Sequence, residues 1–101
     1  MAKAIVWSQE ALDDIEAIAE YISRDSIYHA QRVVEEIFTI TEAIHNHPKM
    51  GRIVPELSGE HIREHFIYSY RIIYEIRGKQ IVILAVIHGR RLLESIEDRF
   101  Q

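Results

Sequence analysis

Apolar and polar positions alternate in three distinct ways along the chain, and each predicts an element. Lys3 to Trp7 is a short run ending in an aromatic residue and predicts an opening strand. Ser8 then suits a helix N-cap with Glu10 in the first turn. Leu12, Ile15, Ala19 and Ile22 recur at helical spacing, while Asp13, Asp14, Glu16 and Glu20 make a solvated face. Ser26 caps a second helix with the stripe Ala30, Val33, Val34, Ile37, Phe38, Thr41 and Ile44, which Asn46-His47-Pro48 stops. The two make a helical hairpin. A loop rich in turn residues (Pro48, Gly51, Pro55, Gly59) leads to strands over 62–67, 70–76 and 80–88. Helical hairpin followed by β-meander implies an α+β fold, a two-layer sandwich of the hairpin on a small antiparallel sheet.

The last two strands carry the candidate chemistry. Their residues are β-branched and aromatic, and Gly78 supplies the positive φ of a tight turn at Arg77-Gly78-Lys79. A regular ladder pairs 77 with 80, 75 with 82, 73 with 84 and 71 with 86. His88 then shares Arg71's face as a diagonal neighbour about 7–8 Å away. Because Ile81 to Ile87 is apolar at every position, this strand should be central, with one face under the helices and the other partly covered. Leu92 to Phe100 forms either a last helical turn or a segment that docks on a partner.

Charge sharpens the reading. The net charge is −4, whereas a nucleic-acid binder that relies on phosphate contacts is usually basic overall, because counterion release supplies most of its affinity. The acidic residues crowd the helices, however, whereas Lys49, Arg52, Arg63, Arg71, Arg77, Lys79, Arg90 and Arg91 put the basic charge in the second half. With 101 residues, the chain makes one domain over 1–101. Lacking cysteine, it has no thiol chemistry, no disulfides and no thiolate metal ligand. Met1 to Trp7 is too short for a signal peptide's apolar region and no run suits a membrane span, so a cytoplasmic protein is expected.

RNA cleavage needs a base near the 2′-hydroxyl, an acid at the leaving oxygen and cations for the developing charge. Arg71, His88 and Arg90 are the catalytic candidates, with Arg63 and Arg91 as further target- or RNA-binding residues. The plainer reading is a strand-end histidine among solvated arginines. His61-Ile62-Arg63-Glu64-His65 matches H-x-x-E-H, but strand-like sequence puts Glu64 on the face away from the histidines. Neither this pair nor His45 and His47 supplies three ligands, so no metal or other cofactor is expected.

Trp7, Ala11-Leu12-Asp13-Asp14-Ile15, Tyr21-Ile22, Ala30, Val33, Pro48-Lys49-Met50-Gly51-Arg52, Ile62-Arg63-Glu64, Tyr70-Arg71-Ile72-Ile73-Tyr74 and Val86-Ile87-His88-Gly89-Arg90-Arg91, in this order and spacing, resemble the ParE/RelE superfamily of toxins from type II toxin–antitoxin modules. The likeness is to the ParE-like branch, often described as plasmid-stabilisation proteins, and it covers nearly the whole chain. It implies a helical hairpin packed on a small antiparallel sheet. It also implies either of two activities, since ParE-like members poison DNA gyrase and RelE-like members cut messenger RNA in the ribosomal A site. In the ribonuclease branch the arginine of the Tyr-Arg strand is functional and maps onto Arg71, and the strand-end basic residues map onto His88, Arg90 and Arg91. Here Leu92 and Leu93 stand where that branch has a tyrosine, and the middle strand is not lysine-rich. The expectation is therefore a toxin that inhibits gyrase by protein–protein contact. It is neutralised by a cognate antitoxin and can oligomerise through the toxin–antitoxin complex. A ribosome-dependent endoribonuclease using Arg71 and His88, a non-toxic partner-binding module and an H-x-x-E-H metalloenzyme are the alternatives.

Overall fold

The computed structural model describes residues 4–57 and 59–100. Its elements run β1 (Ala4–Trp7), α1 (Gln9–Ser23), α2 (Ile27–Asn46), β2 (Arg52–Ile53), β3 (Ile62–Ile67), β4 (Tyr70–Arg77), β5 (Gln80–His88) and a kinked 3-10 segment (Leu93–Phe100). Both predicted caps are in place. Ser8 Oγ accepts from the Ala11 amide and Ser26 Oγ from the His29 amide, each at 3.1 Å, so one orphan donor at each helix start is satisfied.

The α+β architecture is as expected, but the sheet is mixed. Its order is β1-β5-β4-β3-β2, with β1 parallel to β5 and the other pairs antiparallel. The opening strand is separated from β5 by the helical hairpin and the meander, which give the long connection a parallel pair requires. β2 is only two residues long and lies inside the segment expected to be a loop.

On α1 the buried residues are Ala11, Ile15 and Ile18, whereas Leu12 is 41% exposed. The stripes 11/15/18/22 and 12/15/19/22 share Ile15 and Ile22, and the small side chain of Ala11 allows the helix to lie close to the sheet. With Val33, Ile37 and Ile44 of α2, this face packs on Ile72, Tyr74, Ile81, Ile83 and Val86. The opposite face of the sheet is covered more fully than expected. Ile62, Ile73, Ala85 and Ile87 form a second core with Val54 and with Leu93 and Ile96 of the C-terminal segment. That segment therefore docks on its own chain.

Its fastening reaches α1. Asp14, expected on the solvated face, turns toward β5 instead. There Oδ2 accepts from the Val86 amide at 2.9 Å and from Arg99 Nη1 at 2.7 Å, and Oδ1 accepts from Arg99 Nη2 at 3.2 Å.

Candidate functional site

A β-bulge decides the geometry of the site. From the turn at Gly78 (φ +58°) the ladder runs regularly through Arg77↔Gln80 and Glu75↔Val82 to Tyr74↔Ile83. The next pair is Ile73↔Ala85, so Leu84 is an extra residue on β5. One inserted residue exchanges the two faces for everything beyond it. Arg71 consequently faces Ile87 rather than Val86, and His88 faces Tyr70, their rings edge-to-face with centroids 6.0 Å apart. The diagonal Arg71–His88 neighbourhood expected from a regular hairpin does not form. Arg71 lies on the face of the second core and His88 at the exposed end of the helix-facing side.

Arg71 is also fully engaged. Its Nε donates to Glu64 Oε1 at 2.6 Å, while Nη1 and Nη2 donate to Glu56 Oε2 and Oε1 at 3.0 and 3.1 Å. Arg52 Nε donates to the other oxygen of Glu64 at 2.6 Å. The result is a chain of alternating charges, Arg52, Glu64, Arg71 and Glu56, built on adjacent strands because Glu64 faces Ile73 and Phe66 faces Arg71 across β3 and β4. The Arg71 and Glu64 side chains are 5% and 0% exposed, so removing one partner would strand a buried charge. Burial opposes the charge on Arg71, but its hydrogen bonds to Glu56 and Glu64 outweigh this and raise its pKa further above the usual arginine value. The same hydrogen bond from Arg71 lowers the pKa of Glu56.

Arg63 is turned inward. Its Nη1 donates to the Gly51 carbonyl at 2.9 Å, beside the point where the Tyr74 hydroxyl accepts from the Gly51 amide at 3.0 Å and donates to the Pro48 carbonyl at 2.6 Å. Burial pushes the Tyr74 pKa upward. Together the two side chains anchor the Pro48–Arg52 stretch on the sheet.

His88, Arg90 and Arg91 remain at the surface, at the open end of β4 and β5. Nδ1 of His88 accepts from the Arg90 amide at 3.2 Å, which leaves Nε2 to carry the proton of the neutral ring. Arg91 Nε donates to Ser95 Oγ at 3.1 Å. On one side, His88 and Arg91 border a cleft of about 340 Å³ with Tyr21 and Tyr70. On the other, His88 and Arg90 border a cleft of about 550 Å³ with Phe66 and Tyr68. Tyr68 has φ +53°, a conformation uncommon for a bulky residue, at the turn between β3 and β4. These aromatic neighbours were not among the sequence candidates; strand alternation alone would have placed Phe66 on the face of Glu64.

The H-x-x-E-H residues are otherwise engaged. Glu64 belongs to the arginine network, His65 Nδ1 contacts the Phe66 carbonyl at 2.8 Å, and His61 lies 3.8 Å from Glu75. Among the described residues no group of three or more histidine, aspartate or glutamate side chains could hold a metal ion, and no helix is long and apolar enough to cross a membrane.

Known proteins share both sequence and fold with this chain. Toxin RelE2 of Caulobacter vibrioides is 28% identical over 88 residues, covering 87% of this chain and 97% of that protein. The structure of the chromosomal ParDE TA system from P. aeruginosa superposes with a TM-score of 0.72 at 19% identity, covering 86% of this chain and 96% of that one. The toxin–antitoxin complex RelBE2 from Mycobacterium tuberculosis superposes with a TM-score of 0.65 at 17% identity, covering 87% and 99%. Residues 5–93 match the family described as the ParE toxin of type II toxin–antitoxin system, parDE. By that match across most of its length, the chain belongs to the ParE toxin family within the ParE/RelE superfamily.

Proposed function

We propose that this toxin acts by recognition, inhibiting DNA gyrase through protein–protein contact in the cytoplasm. The observation that carries the reading is the separation of Arg71 from His88. A ribonuclease needs acid, base and phosphate-stabilising cation around one bond. Here the buried arginine is saturated by carboxylates, and the histidine stands on the other face of the sheet. What remains available is an extended rim of exposed basic and aromatic side chains, suited to binding a surface. The match to the ParE family favours the same target.

A cognate antitoxin silences the toxin and organises any higher oligomer. The similar structures come from toxin–antitoxin systems, and Leu12, Tyr21, Ile27 and Tyr28 expose apolar surface on the helical hairpin where an antitoxin segment can fold. A second reading, the ribosome-dependent ribonuclease, is favoured by the likeness to Toxin RelE2 and by the exposed His88 and Arg90 beside an open cleft.

The test is a supercoiling assay with purified gyrase and purified toxin, with and without the product of the adjacent gene. Inhibition that this product relieves supports the proposal. Unimpaired supercoiling at a large excess of toxin contradicts it.

A further inference from the structure

The two ends of the Arg71–Glu56 pair are unlike. Arg71 is 5% exposed and held from behind by Glu64, whereas Glu56 is 47% exposed and sits on the surface turn at 54–57. Glu56 meets the two outer guanidinium nitrogens with both carboxylate oxygens, the fork-to-fork arrangement by which arginine recognises a carboxylate. Beside it, Phe66 is exposed on the same face, directly opposite Arg71, with the Arg52 guanidinium 5.1 Å from its ring centroid. Arginine and aromatic side chains grouped around a desolvated charge are typical of the anchoring centre of a protein interface.

We propose that the Arg71 fork is a docking site for an acidic side chain of a protein partner. Glu56 fills it in cis until that side chain takes its place. The exchange substitutes one carboxylate for another, so Arg52, Glu64, Arg71 and the incoming group still sum to zero charge. A phosphate dianion would instead add a second negative charge close to buried Glu64, and for this reason the site fits a carboxylate. Glu56, already half in water, needs little further hydration on release. As a tethered competitor it lowers the affinity of the incoming group by the fraction of molecules in which the fork is open. The proposal rests on the recognition reading, because a protein partner supplies the carboxylate.

The fork can be tested apart from any target. Isotope-labelled full-length wild type and Glu56→Gln are titrated with sodium acetate at constant ionic strength, and the Arg71 Nε–Hε resonance is followed by NMR, with sodium chloride as control. The variant should shift saturably, with a midpoint at least about tenfold lower than wild type, and chloride should move neither. Absence of a saturable shift in Glu56→Gln, or equal midpoints in the two proteins, overturns the proposal. Inorganic phosphate binding the variant more tightly than acetate overturns the carboxylate assignment. Should Glu56→Gln fail to fold, Glu56→Asp, which withdraws the carboxylate by one methylene, must still lower the midpoint; an unchanged midpoint overturns the inference. A positive titration beside intact supercoiling would locate the fault in the choice of target and leave the fork standing.

Discussion

Asp14 and Arg99, 85 positions apart in the chain, are joined by two hydrogen bonds of 2.7 and 3.2 Å, and the same Asp14 carboxylate accepts from the Val86 amide just past the bulge. One helix side chain thus secures both the stretch of β5 beyond its pairing with β1 and the segment that covers the second core. Asp14→Ala should destabilise the fold by about 3 kcal/mol, since it leaves the Val86 amide without its acceptor and a largely buried guanidinium with only the Leu84 carbonyl, 3.3 Å from Nη1. Arg99→Ala should cost less, because the Val86 bond survives. Urea denaturation of both single variants and the double variant measures the coupling. A coupling energy near zero would show that the pair does not fasten the segment.

Tyr74→Phe removes the hydroxyl that serves both the Pro48 carbonyl and the Gly51 amide. The expected loss is about 1–3 kcal/mol. The pH dependence has a definite sign. Burial raises the pKa of Tyr74 above its ordinary value of 10.0, so the neutral phenol favours the folded state. Its contribution is fully present below pH 10.0 and is lost as pH rises through the higher folded value. Stability measured against pH should therefore fall less steeply above pH 10.0 in Tyr74→Phe than in wild type. Identical alkaline slopes would contradict this role.

Gly51 is packed where no side chain fits. A Cβ there would lie 2.6 Å from the Glu64 carbonyl and 2.7 Å from the Tyr74 hydroxyl. Gly51→Ala should cost about 1–3 kcal/mol through overpacking, read as a lowered denaturation midpoint. A variant as stable as wild type would mean that the Pro48–Arg52 stretch is free to lift from the sheet.

Much of the fold was legible because its signals are local. Ser8 and Ser26 cap the helices that follow them, Pro48 stops α2, and Gly78 takes the positive φ of the final hairpin. The site was less legible, for one physical reason above all. β5 is buried on both faces, so its run of apolar residues has no alternation to show that Leu84 is inserted, and every facing assignment beyond it changes. Arg71 was visible as a candidate, but its carboxylate partners come from β3 and from a turn in the long loop, contacts that no local pattern encodes. Asp14 looked like a solvated helix residue for the same reason: its partners are Val86 and Arg99, far along the chain.

Separation of Arg71 from His88 is the centre of this account, and His88→Ala in a ribosome-programmed translation extract tests it most directly. The wild-type toxin should leave messenger RNA uncut in the A site. In the matching supercoiling assay His88→Ala should weaken inhibition only modestly, as loss of one contact in an extended interface does. A-site cuts made by the wild type and reduced about 10²–10⁴-fold by His88→Ala, with supercoiling untouched, would make His88 a general acid or base and contradict the account.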